Sequence, residues 1–133
     1  MVTINRKIRE FSDINMAFGI HPATADITRK NDEEAVKASI RNLILTKNYE
    51  RPFHPEIGCQ IHSLIFELWD PVLKKVMERT IQDTLDKFEP RAKIVRVEVA
   101  DNSDTNSVDV TVEFLMQNIN RPITITTTLS RAR

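Results

Sequence analysis

A chain of 133 residues and 15.4 kDa is long enough to close one hydrophobic core and short for two. Its 41% apolar and 29% charged residues argue against wholesale disorder, and 19 basic against 19 acidic residues remove the net positive field that attracts nucleic acids and anionic membranes. One cysteine, two glycines and no long apolar run exclude a disulfide framework, a glycine-rich phosphate loop and a bilayer-spanning helix.

Residues 1–10 lack the apolar core of a signal peptide, so synthesis in the cytoplasm, without export by that route, is expected. Across residues 1–30 the apolar positions Ile4, Ile8, Phe11, Ile14, Phe18, Ile20 and Ile27 show no sustained period and are broken by Gly19 and Pro22. This pattern predicts an extended arm lying over the core. Asn31 or Asp32 then offers an N-cap, Glu33 and Glu34 suit the positive end of a helix dipole, and Val36, Ile40, Leu43 and Ile44 recur at helical spacing, predicting a helix over 32–46.

The run Arg51-Pro52-Phe53-His54-Pro55-Glu56-Ile57-Gly58-Cys59 predicts a fixed loop, and Ile61, Leu64, Ile65 and Leu68 a short helix after it. At Asp70-Pro71 a carboxylate cap precedes a proline suited to the first helical position. Val72, Val76, Ile81, Leu85 and Phe88 mark the apolar stripe of a helix of roughly five turns, which ends before Pro90.

Beyond Pro90 the period falls to two: Val95, Val97 and Val99; then Val108, Val110, Val112, Phe114 and Met116; then Ile123, Ile125, Thr127 and Leu129. These predict three strands joined by loops at 101–107 and 118–122, short enough for an antiparallel meander. The expected fold is α+β, with two main helices and a short one packed on one face of a three- to four-stranded, mainly antiparallel sheet. We expect one domain over 1–133, comprising an arm (1–30), a helical part (31–89) and a sheet part (90–133).

Several residues carry candidate chemistry. Glu56, Glu67, Asp70 and Glu89 cluster around the loops, and a glycosidase needs two carboxyl groups flanking its substrate, although Asp70 is already accounted for as a cap and Glu67 as a helix-face charge. His54, Cys59 and His62 lack the paired spacing of a zinc site, and the cysteine is accounted for as a small buried hydrophobe, with His54 in the loop and His62 on a helix exterior. No metal or cofactor is expected. Trp69 beside Phe66 suits the core better than an exposed anchor. Glu89-Pro90-Arg91 joins a rigid corner to an acid and a guanidinium, whose planar fork suits a carboxylate. Spacing leaves this tripeptide open between an internal brace and a docking point.

Taken together, Ser39-Ile40-Arg41-Asn42-Leu43 with Thr46, Arg51-Pro52-Phe53 with Pro55-Glu56 and Gly58-Cys59, Leu64 with Phe66-Glu67, and Glu89-Pro90-Arg91 leading into strands resemble the baseplate wedge subunits of contractile-tailed phages, a family with relatives in type VI secretion and other contractile injection systems. The resemblance implies a virion tail baseplate protein, assembled in the host cytoplasm from a monomer, that contacts neighbouring wedge proteins and the tail sheath protein. It implies docking through Glu89, Pro90 and Arg91 onto the helical core bundle of wedge neighbours. It also implies strand exchange with the sheath, for which the final strand, Ile123, Thr124, Ile125, Thr126, Thr127, Thr128 and Leu129, is the candidate edge. Some members of the family are labelled lysozymes. A peptidoglycan glycan hydrolase and a generic protein-binding adaptor are therefore the alternatives to a non-enzymatic structural subunit.

Overall fold

The computed structural model describes residues 11–117 and 119–131, so Ile4 and Ile8 of the expected arm lie outside it. The described part of the arm is a β-hairpin in place of an extended segment. Strand β1 (Ser12–Ile14) pairs antiparallel with β2 (Arg29–Asn31), and a lone bridge between Ile20 and Ile27 continues the ribbon toward its tip. Asn15 explains the turn that periodicity missed. Its side chain accepts from the Ala17 amide at 3.1 Å and donates to Thr28 Oγ1 at 3.1 Å, while Phe18 adopts the left-handed region at φ 51°. Because the ribbon bonds mainly to itself, Ile14, Met16, Phe18 and Ile20 stay exposed.

Helix α1 (Asp32–Leu45) follows directly and buries the expected Val36, Ile40, Leu43 and Ile44. Asn31 holds the N-cap position without a capping bond from its side chain. Asp32 instead ties the start of the arm, accepting from the Phe11 amide at 3.0 Å and donating its own amide to the Phe11 carbonyl at 2.7 Å. The proline-rich loop then returns so that Cys59 bridges Lys47. Gly58 permits the return: at φ 156°, a Cβ there would lie 2.6 Å from the Lys47 carbonyl oxygen.

Helix α2 (Ile61–Leu64) is a single turn. The chain leaves helical geometry soon after it, so Leu68 is exposed and does not continue the expected stripe. Helix α3 (Pro71–Phe88) begins as predicted, with Asp70 Oδ1 accepting from the Leu73 amide at 2.6 Å. Its buried face runs through Leu73, Met77, Ile81 and Leu85, and Val72 and Val76 point to solvent. The expected stripe stepped five residues from Val76 to Ile81 and so crossed faces; Met77 keeps the four-residue step.

Strands β3 (Ala92–Asn102), β4 (Ser107–Met116) and β5 (Ile119–Ser130) form an antiparallel sheet in the order 3-4-5. A turn of 3-10 helix, Ser103–Thr105, and Asn106 at φ 48° link the first two. All the inward positions expected on the second and third strands are buried: Val108, Val110, Val112, Phe114 and Met116, and Ile123, Ile125, Thr127 and Leu129. The first strand departs from expectation because a bulge between Ile94 and Arg96 shifts its alternation, leaving Ile94, Val97 and Val99 inside and Val95 51% exposed. The expected loop at 118–122 is shorter than predicted. Ile119 already pairs with Met116, and Pro122 falls within a register shift of the outer strand, where its missing amide is tolerated. The α+β expectation holds: α1, α2 and α3 pack on one face of a three-stranded sheet. The opposite face is polar, with Thr128 donating to Asp109 at 2.6 Å.

Candidate functional site: the helix-to-sheet corner

Between the end of α3 and the start of β3 stands Glu89-Pro90-Arg91. The proline ring disfavours helical geometry at the preceding residue, and Glu89 accordingly leaves the helix at φ −125°, ψ 74° while its amide still bonds the Leu85 carbonyl at 2.8 Å. The Ala92 amide bonds back to the Glu89 carbonyl at 3.2 Å, so the corner is closed on both sides.

This geometry turns the Glu89 carboxylate inward, to 2% exposure. Arg91 follows it with a two-pronged fork: Nε donates to Oε1 at 2.7 Å and Nη2 to Oε2 at 2.8 Å. Burial alone would push the Glu89 carboxyl up, but the bonds from Arg91 and from Ser39, together with the Arg91 charge, outweigh it and hold the carboxyl below its ordinary range. The Glu89 bonds in turn raise Arg91 against the opposing effect of burial, and its charge is permanent. The remaining edge of the guanidinium faces the hairpin. Nη1 donates to Asp13 Oδ2 at 3.0 Å and Oδ1 at 3.2 Å, and the Phe11 ring lies 5.6 Å from the guanidinium carbon.

The internal brace that spacing left open is therefore formed, and the same arginine also ties the hairpin to the corner. Asp13 had no signal in the sequence. It lies 78 positions from Arg91, and only the hairpin brings the two together.

The other candidate residues are dispersed. Glu56 is exposed and contacts His54 Nδ1 at 3.3 Å, its carboxyl held low chiefly by its own backbone amide; Asp70 caps α3. A glycosidase acid requires a raised carboxyl, opposite to the direction at Glu56 and Glu89. Burial pushes the Cys59 thiol up against the opposing bonds from the Ile61 backbone and from Thr84 Oγ1, the latter at 3.9 Å. His62 is half-buried and sits 3.1 Å from the Ile44 carbonyl, instead of standing on a helix exterior. Among the described residues, no three His, Cys, Asp or Glu side chains gather as metal ligands. Trp69 is partly buried against the core, and Phe66 is exposed.

On β5, Ile123, Ile125, Thr127 and Leu129 face the core, and Thr124, Thr126 and Thr128 face outward. Within the described sheet this strand pairs only with β4. A cleft of about 330 Å³ separates it from α1, lined by Lys37 and Arg41 on the helix and by Thr124 and Thr126 on the strand.

The family model for baseplate wedge protein gp25 matches residues 30–121. Baseplate wedge protein gp25 of Enterobacteria phage T4 is 30% identical over 89 residues, which span 67% of each chain. Among solved structures, the fold is similar to that of a Geobacter sulfurreducens protein named as a tail lysozyme, with TM-score 0.70 and 22% identity over 76% of this chain and 92% of that one. A chain of the anti-feeding prophage baseplate matches with TM-score 0.64 and 22% identity over 90% of this chain and 84% of that one. A chain of the type VI secretion baseplate complex matches with TM-score 0.56 and 16% identity over 72% and 92%. The segment matched by the family model holds all three helices, the tripeptide, β3 and β4. The hairpin up to Arg29 and most of β5 lie outside it.

Proposed function

The chain belongs to the gp25 family of baseplate wedge proteins, and on that premise we propose that it is a non-enzymatic, single-domain subunit of a contractile-tail baseplate. It joins neighbouring wedge proteins through Glu89-Pro90-Arg91 and templates the first sheath ring along β5. It is a monomer before assembly in the host cytoplasm. The observation that carries this reading is a permanent cation fixed on a closed corner inside the segment matched by the family model. A guanidinium already locked on one side by Glu89 loses little freedom when its other edge, held in the free subunit by Asp13, meets a partner's acid instead.

For the sheath contact, support comes from the side of β5 that pairs with no strand among the described residues and the polar cleft beside it, into which a strand of another chain can add by β-augmentation. The tail-lysozyme name of one structural neighbour makes glycan hydrolysis worth an assay. Glu56 and Glu89 are both poor acids for that reaction, because both are held ionised.

The test is reconstitution of wedges from the same tail with and without this chain, followed by sheath protein. Sheath rings are expected only on wedges that contain the chain. A Thr124→Lys/Thr126→Lys variant should enter wedges normally but block sheath addition by placing charge along the edge. Equal sheath growth without the chain, or on that variant, would contradict the templating role. Reducing ends released from peptidoglycan by the purified protein, and lost in Glu56→Gln or Glu89→Gln, would contradict the non-enzymatic one.

A further inference from the structure

The two acids on Arg91 are held in different ways. Glu89 is buried and takes the paired Nε and Nη2 prongs at 2.7 and 2.8 Å, whereas Asp13 shares the single Nη1 at 3.0 and 3.2 Å. The Asp13 side chain is 40% exposed, and its attachment competes directly with water. Glu89 is therefore the fixed ligand and Asp13 the exchangeable one.

The element that carries Asp13 is built to move at low cost. Its large side chains Ile14, Met16 and Phe18 are all more than half exposed, so withdrawing the ribbon beyond Phe11, which packs against the core and stays bonded to Asp32, forfeits little buried apolar surface. It also lies almost wholly outside the segment matched by the family model, while the arginine it covers lies inside. Beside Asp13 a groove of about 540 Å³ runs between the hairpin and the helices, with Leu43, Ile57 and Phe88 in its lining.

We propose that Asp13 occupies the docking edge of Arg91 in place of a partner's carboxylate, and that a wedge neighbour docks by exchanging its own acid for Asp13. This rests on the tripeptide being the wedge contact. The partner segment it calls for carries an Asp or Glu flanked by apolar residues that enter the groove lined by Leu43 and Phe88. The hairpin is then a self-ligand that lowers the affinity of the free subunit by the fraction of time it occupies the site.

The test uses the full chain and, as the probe, a purified wedge subcomplex of the same tail lacking this subunit. Asp13→Ala should bind with a Kd lower by about two- to fivefold. On binding, amides of residues 12–31 in the unsubstituted chain should lose hydrogen-exchange protection while those of 107–116 keep theirs. An Asp13→Ala variant that binds no tighter, or a hairpin that stays protected in the complex, overturns the exchange. The Glu89→Gln/Arg91→Ala variant separates the two levels. If it still binds like the unsubstituted chain, the docking reading itself fails; if it loses binding while Asp13→Ala gains nothing, only the exchange fails.

Discussion

Replacing Arg91 with alanine is expected to destabilise the isolated protein by about 3 kcal/mol, the low end of what breaking one side of a buried ion pair costs. The low end applies because Arg91 keeps 22% side-chain exposure, but Glu89, at 2%, is left with only Ser39 and the backbone amide of residue 91, 3.4 Å from its Oε1, to bond it. The sign of the pH response should invert. In the unsubstituted chain the Glu89 carboxyl is depressed, so its contribution is present above the unfolded value near ~4.3 and is lost as pH falls through the lower folded value. Without the guanidinium, burial dominates and raises the carboxyl; stability is then fully present below the unfolded value and is lost as pH rises through the folded one. Urea midpoints at pH 7 and pH 5 check this. Arg91→Ala should gain stability at pH 5, and Glu89→Gln/Arg91→Ala should be more stable at pH 7 than the single variant. A single variant with an unchanged midpoint, or one that weakens on going to pH 5, would show that the pair does not hold the corner.

Phe114→Ala should cost about 3–5 kcal/mol, because the ring is fully buried on the central strand between Ile94 and Ile123 and its removal leaves a cavity that backbone pairing on both sides keeps open. Val95→Ala should stay within about 0.5 kcal/mol. Alternation alone puts Val95 inside together with Val97 and Val99; the bulge puts it outside. Chemical denaturation of the two variants distinguishes these cases, and a Val95→Ala cost comparable to that of Phe114→Ala would move the bulge elsewhere.

Elements governed by one local rule were legible in the sequence. Asp70-Pro71 started a helix where a cap and a proline agree, Pro90 ended it, and the unbroken alternation from Val108 to Met116 gave a strand with every inward residue correct. Elements set by competition between rules were not. The Val72–Val76 pair follows helical spacing as well as Leu73–Met77 does, and only packing against the sheet chose between them. The bulge at Val95 adds one residue without any glycine to mark it. Half of the candidate site was legible: Glu89, Pro90 and Arg91 are contiguous, and proline chemistry alone fixes their corner. Asp13 and Phe11, which complete the surroundings of the guanidinium, arrive from the distant hairpin, whose turn depends on the side-chain bonds of Asn15.

Docking through Arg91 and folding through Arg91 are separable because Glu89→Gln/Arg91→Ala removes the cation without leaving a buried charge behind. The decisive measurement is incorporation of this double variant into wedges assembled from the same tail, scored by co-sedimentation against the unsubstituted chain, with thermal unfolding run in parallel. A folded double variant that stays out of the wedge is the predicted result, and a folded double variant that enters it as readily as the unsubstituted chain would contradict the tripeptide's role in docking.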